Sequence, residues 1–232
     1  MSTNQRQPGR STLFVLLWLL AFMGVALAIS SQALPPKVCT RLFSETGAFE
    51  MASPWMWLAL AGFVVVLLRR FDAVVLSSVF VCAACAAREW DLHKSITGYS
   101  VLKPKFYLSS EFPLQQQLIA GTVVATLGIS VAILIRHAVR VWPRGRQPVP
   151  TWMWAMFTGG SLLALTKILD RNPSILLDTF GIIQSPAVLR FYMAWEEGFE
   201  VMVPIPFAVM VLTYRMEHQR PKPAETGIDS AS

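Results

Sequence analysis

The chain contains 232 residues, 54% of them hydrophobic and 15% charged, with a mean hydropathy of +0.49 and a formal net charge of +6. A soluble domain carries charge on about a quarter of its residues, so an ordinary water-soluble fold is excluded. With 13 Gly and 3 Cys, a collagen-like repeat and a disulfide scaffold are excluded too.

What remains is an all-α, polytopic transmembrane bundle, short enough to be one membrane domain (12–214) between polar tails (1–11 and 215–232) that read as disordered. In lipid the backbone must satisfy its own polar groups, which favours helices, and six apolar runs predict six spans. The first, Thr12 to Ala33, follows Arg6 and Arg10 and stops at Leu34-Pro35-Pro36, where proline cannot continue a helix. Basic residues, an apolar run and Ala26-Leu27-Ala28 also resemble a cleavable signal sequence, although the run is longer than a signal core needs. The second span, Ala52 to Leu68, and the third, Ala73 to Arg88, are joined by a tight turn of Arg69, Arg70, Phe71 and Asp72; Trp90 and Leu92 extend the short third span into the interface. The next connection holds Ser95, Thr97, Tyr99 and Ser100, then Lys103-Pro104-Lys105-Phe106-Tyr107, a composition suited to interfacial anchoring or to an anionic headgroup. The fourth span is Leu118 to Ile135 and the fifth Trp152 to Asp170, with the connector Trp142 to Pro150 between them. Asn172-Pro173-Ser174 is a good helix start and predicts a short apolar helix, ending before Pro186, that lies in the interface between the fifth and sixth spans. The sixth, Ala187 to Tyr214, is expected to kink at Pro204 and Pro206. Trp55, Trp57, Trp90, Trp142, Trp152 and Trp154 fall near predicted ends, as in an aromatic belt.

Basic residues in short loops set the orientation. With a cytoplasmic N-terminus, that side holds Arg6, Arg10, Arg69, Arg70, Arg136, Arg140, Arg144, Arg146, Arg215, Arg220 and Lys222, eleven of the twenty Lys and Arg. The majority is narrow, but clustering decides: the connection after the fourth span has four Arg, His137 and no acid. Both termini are therefore expected inside, in a bacterial cytoplasmic (inner) membrane. The net charge is a topology signal, and no aromatic-interleaved basic patch points to nucleic acid.

In that orientation Asp72, Glu217, Glu225 and Asp229 are cytoplasmic, whereas Glu45, Glu50, Glu89, Asp91, Glu111, Asp170, Asp178, Glu196, Glu197 and Glu200 lie outside or in the outer half of the bundle. Three charged runs reach the same side: Arg88-Glu89-Trp90-Asp91-Leu92-His93-Lys94, Lys167-Ile168-Leu169-Asp170-Arg171 and Glu196-Glu197-Gly198-Phe199-Glu200. Residues four apart stand about 40° from one another on a helix, so Glu89 with His93, Lys167 with Arg171, and Glu196 with Glu200 each share a face. Glu200 and Lys167 lie deepest, where a charge costs at least ~2.5 kcal/mol and needs a partner. Lys167 with Glu200, and Arg88 with Glu196 or Glu197, are the expected pairs. Six carboxylates face four bases (Arg88, Lys94, Lys167 and Arg171), so two acids are left for a proton or a bound cation.

Glu89, Asp91, His93, Glu197 and Glu200 are the candidate catalytic acids and bases. Glu89, His93, Asp170, Glu196 and Glu200 are candidate ligands of a divalent metal, and Arg88, Lys94, Lys103, Lys167 and Arg171 would receive an anionic lipid or lipid-linked substrate. Together they suggest a hydrolase or transferase working on such a substrate in the bilayer. Two alternatives use the same residues: a proton- or cation-coupled solute transporter with Glu200 as the coupling group, and an assembly protein whose salt-bridge network is a clasp. Cys82-Ala83-Ala84-Cys85 has the spacing of a redox pair, but it sits in a stripe of small residues that lets helices approach. Three histidines, with only His93 near the cluster, exclude a tri-histidine zinc site; H-E-x-x-H, a Gly-rich phosphate loop and G-x-S-x-G are all absent.

Overall fold

The computed structural model describes residues 8–44, 46–95, 98–143 and 149–218, and every regular element among them is a helix. In chain order these are α1 (Pro8–Ala33), α2 (Pro36–Phe43), α3 (Ala48–Leu68), α4 (Ala73–Glu89), α5 (Leu92–Ser95), α6 (Pro104–Leu108), α7 (Leu114–Arg140), α8 (Thr151–Phe180), α9 (Pro186–Met202) and α10 (Pro204–His218). Long helices consecutive in the chain run in opposite directions, α9 and α10 counting as one, so that α1 and α8 start at the same end. At one end, here the terminal end, Gly9 lies against Thr151, whose backbone N–H donates to the Glu217 carboxylate at 3.0 Å. At the other, the loop end, Gln32 donates to the Ala187 carbonyl at 3.1 Å and Arg190 to the Ser31 carbonyl at 3.3 Å.

Among the described residues, four segments are long and apolar enough to cross a membrane: Gly9–Ala33, Pro36–Leu68, Leu114–Arg140 and Pro186–His218. α4 has only 17 residues, and α8 carries Lys167, Asp170 and Arg171. The core forms where α1, α3, α4, α8, α9 and α10 meet, through Leu27, Trp57, Leu60, Val64, Val75, Cys82, Leu162, Phe199, Met202 and Val211. α7 packs against α4 from outside this core, and among its residues Ser130 is buried while Ile119, Val123, Ile129 and Ile135 are exposed. Apolar side chains also cover the outer face of α1, including Phe14, Trp18, Phe22 and Ile29. A helix that is apolar all round belongs in a core or in lipid.

Local chemistry explains the boundaries. Asp72 caps α4, its carboxylate accepting from the N–H groups of Val74 and Val75 at 3.0 Å each, while Arg69 closes α3 in the left-handed region with φ 50°. Gly181, at φ 65°, ends α8 without the penalty a Cβ would bring there. The break at Pro204 falls where expected, so α9 and α10 form one kinked rod.

Three expectations are corrected. No separate helix starts at Asn172: α8 runs unbroken through Pro173 to Phe180. The Asn172 side chain, which would have capped a new helix, donates instead to the Tyr192 hydroxyl on α9 at 2.5 Å. The tails are shorter than expected, since α1 begins at Pro8 and α10 continues to His218; Arg6, Arg144, Arg146, Arg220, Lys222, Glu225 and Asp229 lie outside the described residues, as do Glu45 and Thr97. Trp57 and Trp152 are core residues, against Phe207 and Tyr214, and do not belong to a belt; Trp55, Trp90, Trp142 and Trp154 keep exposed positions.

Candidate functional site

The site is organised by α9. Gly198 lets α9 approach α1 closely, because a Cβ there would collide with the Leu27 side chain. Glu197 and Glu200 stand roughly 100° and 160° around the helix from that contact, toward α3, α4 and α8. Lys167 of α8 forms a direct ion pair and hydrogen bond with Glu200. Glu89, the last residue of α4, lies within electrostatic reach of Glu200 and Lys167. Glu89 in turn accepts from the Ser53 hydroxyl of α3 at 3.4 Å and lies 3.6 Å from Arg88. One residue from each of the three charged runs thus converges, together with a hydroxyl from a fourth helix.

These groups are withdrawn from solvent: the side chains of Glu89 and Glu200 are 11% and 15% exposed, and Lys167 is 35% exposed. Glu197 is buried, with 9% of its surface accessible. The charged neighbours acting most strongly on it are Glu50, Glu200, Glu196 and Glu89, all acids. It has neither an ion-pair nor a hydrogen-bond partner among the described residues. Half-buried Glu196 lies within electrostatic reach of Asp170, Glu200, Lys167 and Glu50. The backbone adds to the excess of acceptors. Pro204 has no N–H for the Glu200 carbonyl, which accepts from Val203 at 3.2 Å, and Pro54 has none to offer the Glu50 carbonyl one turn earlier on α3.

Several expected members stand elsewhere. Asp91, in the left-handed region with φ 53°, has a 62% exposed side chain bridged to Lys94 at 2.7 Å. It stands between α4 and α5, where its side chain is at the surface. Asp170 and Arg171 pair with each other at 3.7 Å on the surface, Arg171 being 78% exposed, although Asp170 stays within electrostatic reach of Glu196. Arg88 pairs with its neighbour Glu89, and not with Glu196 or Glu197 as expected. Lys103 lies over the Tyr99 ring, 5.6 Å from its centroid, where the adjoining α6 is anchored by buried Phe106. Tyr107 donates to the Val101 carbonyl at 2.8 Å, and burial pushes the pKa of its hydroxyl above the usual tyrosine range. His93 belongs to α5, but its side chain lies outside the described residues. Among the described residues no group of three or more His, Cys, Asp or Glu is placed to hold a metal ion. Cys82 and Cys85 are free thiols on α4.

Ser53 and Glu50 were not singled out by the charged runs. The sequence does carry a signal for them: Glu50-Met51-Ala52-Ser53-Pro54 puts two polar groups on one helical face at the head of an apolar helix, next to a proline. The chain matches no protein-family model, no curated protein and no solved structure.

Proposed function

We propose that the chain is a multi-pass protein of the bacterial inner membrane, and that its carboxyl cluster takes up and releases protons in step with the passage of a small solute. In this reading all six apolar segments cross the bilayer, α9 and α10 forming a single kinked crossing and α4 reaching its full depth with help from Trp90. Both termini are cytoplasmic and the loop end faces outward, as the Arg-rich terminal end supports.

Glu197 carries the reading. A clasp built for stability would match each buried carboxylate with a base, since an unpaired buried charge is strongly destabilising. Here the charged neighbours acting most strongly on buried Glu197 are all carboxylates, while Lys167 is paired with Glu200 and half-exposed Arg88 with Glu89. Carboxyls withdrawn from water within electrostatic reach of one another, such as Glu89 and Glu200, are comfortable only when a proton or a cation offsets part of the charge. Infrared difference spectroscopy of the reconstituted protein tests this. A protonated-carboxyl band should come and go across the physiological pH range and be diminished in Glu197→Gln; carboxyls that keep one state throughout would end the reading.

A second reading has its own support. A shallow, open depression along α2 at the loop end is lined by Pro36, Lys37, Thr40, Arg41 and Ser44, a set suited to an anionic lipid headgroup. In that case Glu89, Glu197 and Glu200 would serve as acid and base for hydrolysis or transfer on the lipid. Release of product from labelled phospholipid vesicles, lost in Glu200→Gln, would favour it over transport.

A further inference from the structure

α2 is a short amphipathic helix held at a set depth. Its Cys39 and Phe43 are buried, Phe43 stacking on Phe49 of α3 with 4.7 Å between ring centroids, and α2 packs on both α3 and α9. Pro35 turns the chain out of α1 into α2 and accepts from the Val38 and Cys39 N–H groups. From Thr12 to Ala33, α1 covers about 33 Å at 1.5 Å per residue, against a hydrocarbon core of ~30 Å. α2 begins just past that length, so it lies at the level of the lipid headgroups.

Lys37, Thr40, Arg41 and Ser44 are spaced three or four residues apart and share the outer face of α2. Together with Pro36 they line its depression. Lys37, Thr40 and Arg41 are exposed and Ser44 is half-buried, and none of the four side chains has a hydrogen-bond or ion-pair partner among the described residues. What they offer is an ammonium, a guanidinium and two hydroxyls, and among the described residues the lining contains no carboxylate. Such a surface repels cations. A zwitterionic headgroup would also bring an ammonium with no anionic acceptor to meet it. The phosphodiester of an anionic phospholipid supplies what the face lacks: two oxygens for the planar fork of Arg41 and a negative charge for Lys37. Val38, 43% exposed and next to Lys37 in the chain, sets apolar surface beside the cations, which a lipid can cover and a free phosphate cannot.

We infer that α2 is a seat for the headgroup of an anionic phospholipid, the phosphate lying between Lys37 and Arg41 while Thr40 and Ser44 donate to the remaining headgroup oxygens. This rests on the lipid-acting reading for its surface and names the lipid by its charge. Binding itself does not require the carboxyl cluster to act on the lipid.

The experiment is photo-crosslinking of the full-length protein in phosphatidylcholine vesicles that contain a small fraction of phosphatidylglycerol with a photoreactive headgroup, the modified residues being mapped by mass spectrometry. Crosslinks are expected within residues 36–44, displaced by unlabelled phosphatidylglycerol but not by added phosphatidylcholine or by soluble glycerol phosphate. In the double variant Lys37→Gln with Arg41→Gln they should fall about tenfold or more, since each basic residue at an anionic bilayer surface is worth about fivefold in binding. Crosslinks that miss 36–44, equal displacement by phosphatidylcholine, displacement by glycerol phosphate, or undiminished crosslinking in the double variant would each overturn the inference. Should the double variant fail to fold, the displacement series on the parent protein decides alone. The two readings fail separately. Phosphatidylglycerol seated on α2 without product released from labelled vesicles leaves the seat and removes the lipid chemistry, whereas product release without crosslinks at α2 leaves the chemistry and removes the seat.

Discussion

Lys167 is a long, flexible cation two-thirds withdrawn from water, and its contact with Glu200 ties α8 to α9. Breaking a fully buried pair from one side costs about 3–5 kcal/mol and breaking a surface pair under about 1 kcal/mol. Lys167→Met should therefore lower stability by about 2 kcal/mol, read from thermal melting in detergent. Glu197→Gln should act in the opposite direction. It removes a group that stands among like charges without a partner, so melting at neutral pH should rise by a few degrees, on the scale of roughly 2–4 °C per kcal/mol for a chain this size. If Glu197→Gln instead melted well below the parent protein, the cluster would be acting as a clasp.

Among the elements, α9 is the most constrained, lying against α1, α2, α3 and α8. Gly198→Ala drives a methyl into Leu27, and overpacking of this kind costs about 1–3 kcal/mol. The double variant Gly198→Ala with Leu27→Ala should recover part of that loss, because the shortened side chain gives the methyl room; no recovery would mean that the close approach is not what Gly198 provides. At the terminal end, α8 begins after Pro150, which offers no side-chain cap, and α10 supplies one in trans through Glu217 on the Thr151 N–H. A carboxylate suits a helix N-terminus for its dipole as well. Glu217→Ala should cost about 1 kcal/mol by the same melting assay. The partner 66 positions away could not be anticipated from helix-start signals, which are local. Pro173 misleads for a related reason: Asn-Pro-Ser is a strong local start, but contact with Tyr192 and packing on α9 keep the helix going.

At the scale of the whole molecule, the proposed topology places the loop end and the terminal end on opposite sides of the membrane. In a background without native cysteines, a cysteine at exposed Ser110 should react with a membrane-impermeant maleimide in intact cells, and one at Met216 only after permeabilisation; labelling of both from outside would refute it. The helical class, the apolar lengths and the kink at Pro204 were legible in the sequence because each follows from composition or from a backbone property of one residue. The Lys167–Glu200 pair was legible too, since two charges at depth must find partners. Composition and helical spacing alone put costly ionisable groups near one end of three helices. Which of them meet follows from how those helices pack. Asp91, Asp170 and Arg171 are as acidic or basic as the rest, but a few residues' difference in depth and rotation leaves them at the surface, while the close packing of α9 on α1 and α3 brings Glu50 and Ser53 into the cluster. Side-chain convergence depends on how helices are rotated against one another, and that is set by the shape of every contact in the bundle at once.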